Sequence, residues 1–404
     1  MPGPALKRSI SLPLLIFYGL GTILGAGIYA LVGKVAGESL GYAPLAFLIA
    51  GIVATFTALS YGELSARLPK SAGEVTYVQT ALKRKKLSIL VGLLVVFTGI
   101  VSIATLANGF SGYLKQFIPI QNWQTICILI TGFGLIAIWG IKQSVILATI
   151  ITILEAVGLI IIIAICRESL FELPIRWPEL IPSFTPDAWK GIFLGAFMAF
   201  FAFIGFEDMV NVAEEVKNPK RNLPLAIIIS LIIVTILYLL TASAATLSLP
   251  LEQLAESDAP LTLVAEQKNS NYGPIITIIS LIAISNGVLV QIIMASRVLY
   301  GMANQKLAPQ KFSKINFKTR TPILATITVI AIALVLALWF PITNLANATS
   351  FIILSVFVLV NLSLWVLKSK KTHPANIPKY PLFIPITGFF LSLGFLVLKT
   401  ILTI

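Results

Sequence analysis

The hydrophobic positions of this chain form long runs, where the elements of a soluble domain would interleave them with polar residues. Taken as stretches of about 20 residues, the length at which an α-helix crosses a bilayer, they give eleven spans. These lie near residues 10–37, 43–66, 88–115, 123–140, 144–166, 189–213, 223–248, 273–302, 322–340, 344–367 and 381–402. The predicted fold class is therefore an all-α polytopic membrane protein, a single membrane domain over 1–404 with no soluble domain. Segments 69–87 and 303–321 are basic and mildly amphipathic, and are expected along one membrane interface. Segment 249–271 is acidic and expected on the opposite side. With the N-terminus in the cytoplasm, 22 of the 29 lysines and arginines fall on the cytoplasmic side, the asymmetry that orients multi-pass proteins.

Two spans are interrupted. The first contains Gly19, Gly21, Gly25 and Gly27 within nine residues, which weakens the helix near its middle because glycine tolerates non-helical backbone angles. In hydrocarbon the freed N–H and C=O groups need partners, so such a break must be buried in protein or line a polar cavity. Span 6 carries Gly205, Glu207 and Asp208 where helix should continue. Interrupted segments at matching places in two halves point to a solute-binding site. Spans 1–5 (10–167) and 6–10 (188–367) then read as two five-span repeats, inverted because five is odd, with 381–402 added. The bland alternative is that the glycines only let helices pack closely. The spacing does not make a dinucleotide loop, which needs a strand before it. After span 6, Asn222 is expected to cap span 7, with Pro224 in its first turn.

Composition narrows the chemistry. Hydrophobic residues make up 57% and charged residues 11%, with mean hydropathy +0.96, against about 25% charged in a soluble domain. The net charge of +13 sits in loops between spans, so it reports orientation and not nucleic acid. No cleavable signal peptide is read at the start. Cys127 and Cys166 fall in apolar segments and read as small hydrophobes. One histidine, His373, lies in a loop, which argues against imidazole catalysis and against a multi-histidine metal centre. No enzyme constellation, no cofactor and no metal site are expected.

Only Glu155, Glu207 and Asp208 are carboxylates well inside spans, and each costs roughly 2.5–3.5 kcal/mol at a helix centre facing lipid. They should face the interior. Ser144, Ala148, Thr152, Glu155 and Gly158 recur at helical spacing on one small, polar face of span 5. A carboxyl there suits a proton carrier or a sodium ligand. Glu207 follows the span 6 break and could couple a proton to opening. Asp208 is left open between a structural role and pairing with a cationic substrate. Thr98, Ser102, Thr105, Gly109 and Gly112 form a similar stripe on span 3, equally readable as packing.

These residues carry a resemblance. Gly21-Thr-Ile-Leu-Gly25-Ala-Gly27-Ile-Tyr29, Phe201-Ala-Phe-Ile-Gly-Phe-Glu-Asp208 running into Ala213–Pro224, Ala295–Ala303 with Pro309, and Pro69–Glu74 are together similar to the amino acid–polyamine–organocation superfamily. The span 6 block looks most like its cationic amino acid transporter branch and the bacterial relatives. The resemblance implies a five-plus-five inverted repeat with alternating access. It implies a substrate α-carboxylate on backbone N–H groups at the span 1 break, where Gly25, Ala26, Gly27 and Ile28 stand. The α-amine would meet carbonyls at Ile23, Phe201, Ala202 and Ile204, with Phe201 closing over the substrate and Glu207 beside that gate. Glu215, at the inner end of span 6, is a second gate candidate. At the Glu155 position the proton-coupled bacterial relatives carry a lysine. A carboxylate reverses that charge, so Glu155 with Ser285 and Asn286 of span 8 could bind Na⁺ or carry H⁺. Asn304-Gln-Lys306 departs from the family's usual Arg-Asp-Gly, and eleven spans stand where twelve are usual.

The expected function is secondary transport of L-amino acids across the cell membrane, with proton symport leading. Na⁺ symport, amino acid or polyamine exchange, a transport-dead sensor and a channel are the alternatives. Amino acid and membrane lipid are the expected partners, with no nucleic acid, and a monomer and a homodimer both stay open.

Overall fold

The computed structural model describes residues 8–25, 27–69, 73–139, 145–370 and 377–403, and the described residues are helical with no strand beyond a single bridge. The helices run α1 Leu12–Leu24, α2 Gly27–Glu38, α3 Ala43–Arg67, α4 Gly73–Leu82, α5 Lys85–Leu114, α6 Asn122–Trp139 and α7 Val145–Ile165. Two short turns follow, α8 Arg167–Phe171 and α9 Leu173–Arg176, before α10 Pro186–Ala199. The second half continues with α11 Pro219–Ser248, α12 Leu251–Glu256, α13 Pro260–Lys268, α14 Tyr272–Asn304, α15 Ile323–Trp339, α16 Ile342–Ser369 and α17 Phe383–Thr403. Among the described residues eight helices are long and apolar enough to cross a membrane, α1 and α2 make a broken span bent by 42°, and two shorter apolar helices lie at Thr149–Ile165 and Ile323–Trp339. These match the eleven runs in order.

The counterparts of the two halves pack on each other. The most extensive contacts join α5 to α14 (spans 3 and 8) and α3 to α11 (spans 2 and 7), and the broken spans 1 and 6 touch directly. Small residues permit this closeness, as they do between membrane helices generally. A Cβ built on Gly99 of α5 would stand 2.9 Å from Ala295 Cβ of α14, and one on Gly109 would stand 2.7 Å from Ala30 Cβ. Gly109 and Gly112 of the span 3 stripe are thus packing surface, the latter against Asp258.

Two expectations are revised. Span 7 begins at Pro219, not after Asn222. Asn218 precedes it in the left-handed region (φ 49°), and proline fits the first helical position because its φ is preset and its missing N–H would be an orphan there anyway. Asn222 instead donates its side-chain amide to Lys217 O at 2.5 Å. Segment 69–87 does not merely lie on the interface: α4 packs against α5 and α16, burying Glu74, Val75, Tyr77 and Val78. Segment 249–271 forms α12 and α13 packed on α2, with Lys34 Nζ donating to Ala255 O at 2.8 Å. Cys166 is buried, Cys127 half-buried, and both are free. His373 lies outside the described residues.

Candidate functional site

Span 1 is helical to Leu24 and again from Gly27, and Gly25 leaves helical angles (φ 2°, ψ −124°). Ala26 lies outside the described residues. Span 6 is α-helical to Ala199 and tightens to a 3₁₀ turn at Phe200–Phe203. Ile204 is extended (ψ 137°), Gly205 sits at φ +127°, and 3₁₀ turns resume over Glu207–Glu215. That φ is strained for any residue with a Cβ. A Cβ there would also overlap the carbonyl oxygen of Thr22, while one on Gly27 would stand 2.5 Å from Ala202 Cα. The glycines therefore let the two breaks cross in contact. Glu207 Oε2 accepts the Gly205 N–H at 2.9 Å, which supplies the partner an interrupted backbone needs. Rings hold the segment from outside: Phe206 lies 5.6 Å from Tyr61 and 5.2 Å from Phe357, and Phe200 lies 6.0 Å from Phe357.

Between the breaks lies a cavity of about 30 Å³, lined from span 1 by Gly21, Thr22, Ile23, Gly25 and Gly27, and from span 6 by Phe201 and Ile204. Ser102 and Leu106 of α5, and Gly287, Val290 and Gln291 of α14, close it. That is space for about two waters, so an amino acid enters only if the walls part. Of the residues expected on substrate, Ile23, Gly25, Gly27, Phe201 and Ile204 line the cavity, while Ile28 and Ala202 are buried behind it. Ser102 Oγ and Gln291 Oε1 are buried without a hydrogen-bond partner. Ser102 was visible in the span 3 stripe. Gln291 had only the signal of a polar residue in an apolar run.

Tyr238 of α11 was missed. Its hydroxyl lies 2.9 Å from both Ile23 O and Ala202 O, its one proton shared between a carbonyl of each break. The α-amine carbonyls expected at Ile23 and Ala202 thus already have this donor. Nothing local in span 7 announces it, because only the tertiary fold brings both carbonyls to one tyrosine.

Glu155 is fully buried, with Asn286 Nδ2 donating to Oε1 at 3.2 Å and Oε2 unpartnered. Ser285 is half-buried and makes no bond to it among the described residues, since consecutive helix positions point about 100° apart. Tyr29 Oη donates to the Glu155 backbone carbonyl at 2.6 Å, and Tyr113 Oη to Tyr29 O at 2.7 Å. This chain ties Glu155 to α2 just past the break. Thr152 and Gly158 share its face, standing against Gly21 and Tyr29 Oη. Ser144 lies outside the described residues.

At the N-terminal face the end of span 6 is strapped to the start of span 1. Ser9 and Ile10 N–H groups donate to Glu215 O at 2.9 and 3.0 Å, and Lys217 N–H to Ile10 O at 2.9 Å. Glu215 thus closes this end through its backbone carbonyl. Nearby, fully buried Glu63 holds Arg67 at 2.6 Å and Lys368 at 2.8 Å and accepts the Tyr380 N–H, which docks α17 on α3.

Among the described residues, apolar helices that match the eleven runs, packed counterpart to counterpart, with two broken spans crossing at a polar hollow, define a multi-pass membrane protein of the inverted-repeat transporter fold. The fold is shared with the crystal structure of MhsT in complex with L-phenylalanine (TM-score 0.67, 16% identity, 99% of each chain covered). The amino acid permease family matches residues 10–403, and the chain belongs to that family. It is 28% identical over 389 residues to the branched-chain amino acid permease BcaP of Bacillus subtilis, covering 91% of this chain and 82% of that protein. It is 29% identical over 386 residues to cationic amino acid transporter 3, mitochondrial, of Arabidopsis thaliana, spanning 90% of this chain but 63% of the plant protein.

Proposed function

We propose that this protein is a secondary active transporter of L-amino acids in the cell membrane, its N-terminus cytoplasmic, working by alternating access. The observation behind the reading is the crossing of two interrupted spans at one hollow, with N–H groups at the start of α2 and carbonyls at the ends of α1 and Phe200–Phe203. The N-terminal end of a helix carries partial positive charge and suits a carboxylate, while released carbonyls suit an ammonium. On substrate binding, the ammonium shares Ile23 and Ala202 carbonyls with Tyr238, and Phe201 covers the side chain. Relatives named for branched-chain and for cationic amino acids support neutral or cationic substrates.

Proton symport is the coupling we favour. Glu155 presents one buried, unpartnered carboxyl oxygen beside Asn286. A proton needs one such oxygen, whereas a sodium ion needs several, and Asn286 faces Glu155 with its donor. Through Tyr29 any movement of α2 is felt at Glu155. The test is uptake of labelled leucine and arginine into proteoliposomes across pH, with and without Na⁺. Saturable, counterflow-competent uptake that rises with an inward proton gradient supports the reading. Unsaturable leak argues for a channel, and binding without flux for a sensor. Uptake that requires Na⁺ or an internal exchange substrate would replace the coupling.

A further inference from the structure

Beside the cavity, and separate from Glu155, a second group of acids occupies the contact between α4 and the unwound half of span 6. Glu74, Glu207 and Asp208 are 3%, 4% and 4% exposed and close enough for their charges to interact. Their named partners are all neutral. Tyr61 Oη donates to Glu74 Oε1 at 3.3 Å, the Gly205 N–H caps Glu207, and the Gln291 side chain stands against Asp208. The charged groups on neighbouring elements have partners elsewhere or face out. Glu63, Arg67 and Lys368 of α3 and α16 pair with each other, and Lys370 Nζ donates to Ala81 O. Arg297 of α14, whose charge acts on Tyr18 of α1, is exposed, and Glu215 adds negative charge.

Three buried carboxylates with no buried cation among them cannot all be ionised without a compensating charge. Two further observations bear on that charge. Asp208 Oδ2 is buried without a hydrogen-bond partner, and so is the hydroxyl of Tyr77, which ends beside Gly73 and Val210 at this same contact. No group of three or more His, Cys, Asp or Glu among the described residues is arranged for a metal ion.

We propose that Glu74 and Asp208 together hold a proton at the contact between α4 and the unwound half of span 6, a proton site in addition to Glu155. The proton keeps α4 seated on span 6, and its loss to solvent leaves two like charges across that contact and loosens it. Burial pushes the Glu74 carboxyl up from its ordinary 4.5 to about 7, so between those values the folded protein keeps a proton that the unfolded chain has lost. Stability is therefore highest below the lower value and falls as pH rises towards the upper one.

The test needs no substrate, so its outcome is independent of the transport reading. Thermal unfolding of the purified full chain is followed from about pH 5 to about pH 8 in wild type, Glu74→Gln, Asp208→Asn and Glu155→Gln, with infrared pH-difference spectra of each. The midpoint of wild type should fall with rising pH, Glu155→Gln should keep the part of that fall that comes from Glu74, and Glu74→Gln should lessen the slope and remove a protonated-carboxyl band. Asp208→Asn should move the transition to lower pH, since the like charge is gone. If Glu74→Gln does not fold, Glu74→Asp should retain the slope and Asp208→Asn still has to shift it. A flat wild-type profile, a wild-type slope in Glu74→Gln, or an unshifted transition in Asp208→Asn overturns the proposal.

Discussion

Tyr238→Phe removes one oxygen atom from the point where the two broken spans meet. The ring stays, packed 5.7 Å from Phe47 and 5.2 Å from Phe203, so no cavity opens and apolar contact is unchanged. What is lost is a fully buried hydroxyl that lies 2.9 Å from both Ile23 O and Ala202 O. One hydroxyl has one proton, so the loss is about one shared hydrogen bond, worth about 1 kcal/mol net, plus about 1–2 kcal/mol for carbonyls left without their donor. Together these destabilise the protein by about 2–3 kcal/mol, which for a chain of this length lowers the unfolding midpoint by about 2–3 °C. Thermal unfolding of purified protein measures the shift, and amide hydrogen exchange locates it. Protection should drop at residues 21–25 and 200–206 and stay unchanged in α5 and α14. A midpoint within about half a degree of wild type, with exchange unaltered at both breaks, would refute the claim that this hydroxyl joins them.

Gly205→Ala puts a Cβ at φ +127° and into the Thr22 carbonyl. The backbone strain alone costs about 1–3 kcal/mol, so folded yield should fall sharply, and normal yield with normal uptake would count against the crossing. Lys368→Met leaves fully buried Glu63 with Arg67 and the Tyr380 N–H, and removes the Lys368 bonds to Glu63 and to Tyr380 O. Loss of about 1.5–3 kcal/mol is expected for the lost bonds to a charged group, read as a lower midpoint and faster proteolysis ahead of α17. Glu155→Gln should keep substrate-induced thermal stabilisation while uptake loses its dependence on the proton gradient. A variant with wild-type gradient dependence would make Glu155 structural only.

The broken spans were legible because glycine acts locally: four glycines in nine residues, and Gly205 next to two acids, report backbone freedom without knowledge of any neighbour. Interior placement of Glu155, Glu207 and Asp208 was legible for a similar reason, since a carboxylate facing lipid is costly wherever it sits. The partners were not. Asn286 meets Glu155 from 131 residues away while adjacent Ser285 does not, a matter of helix rotation that a paired listing of polar residues cannot supply. Gln291 and Tyr238 gave no sequence signal beyond an isolated polar group in an apolar run.

The sequence by itself determined the apolar runs and the positions of the breaks, because hydrophobic run length and glycine placement are properties of one segment at a time. Only the tertiary structure decided what those breaks touch: Gly205 on Thr22, Gly27 on Ala202, one tyrosine hydroxyl between both, and Glu74 set against span 6. Contacts between distant segments depend on how helices rotate and cross, and many sequences with the same runs would cross them differently.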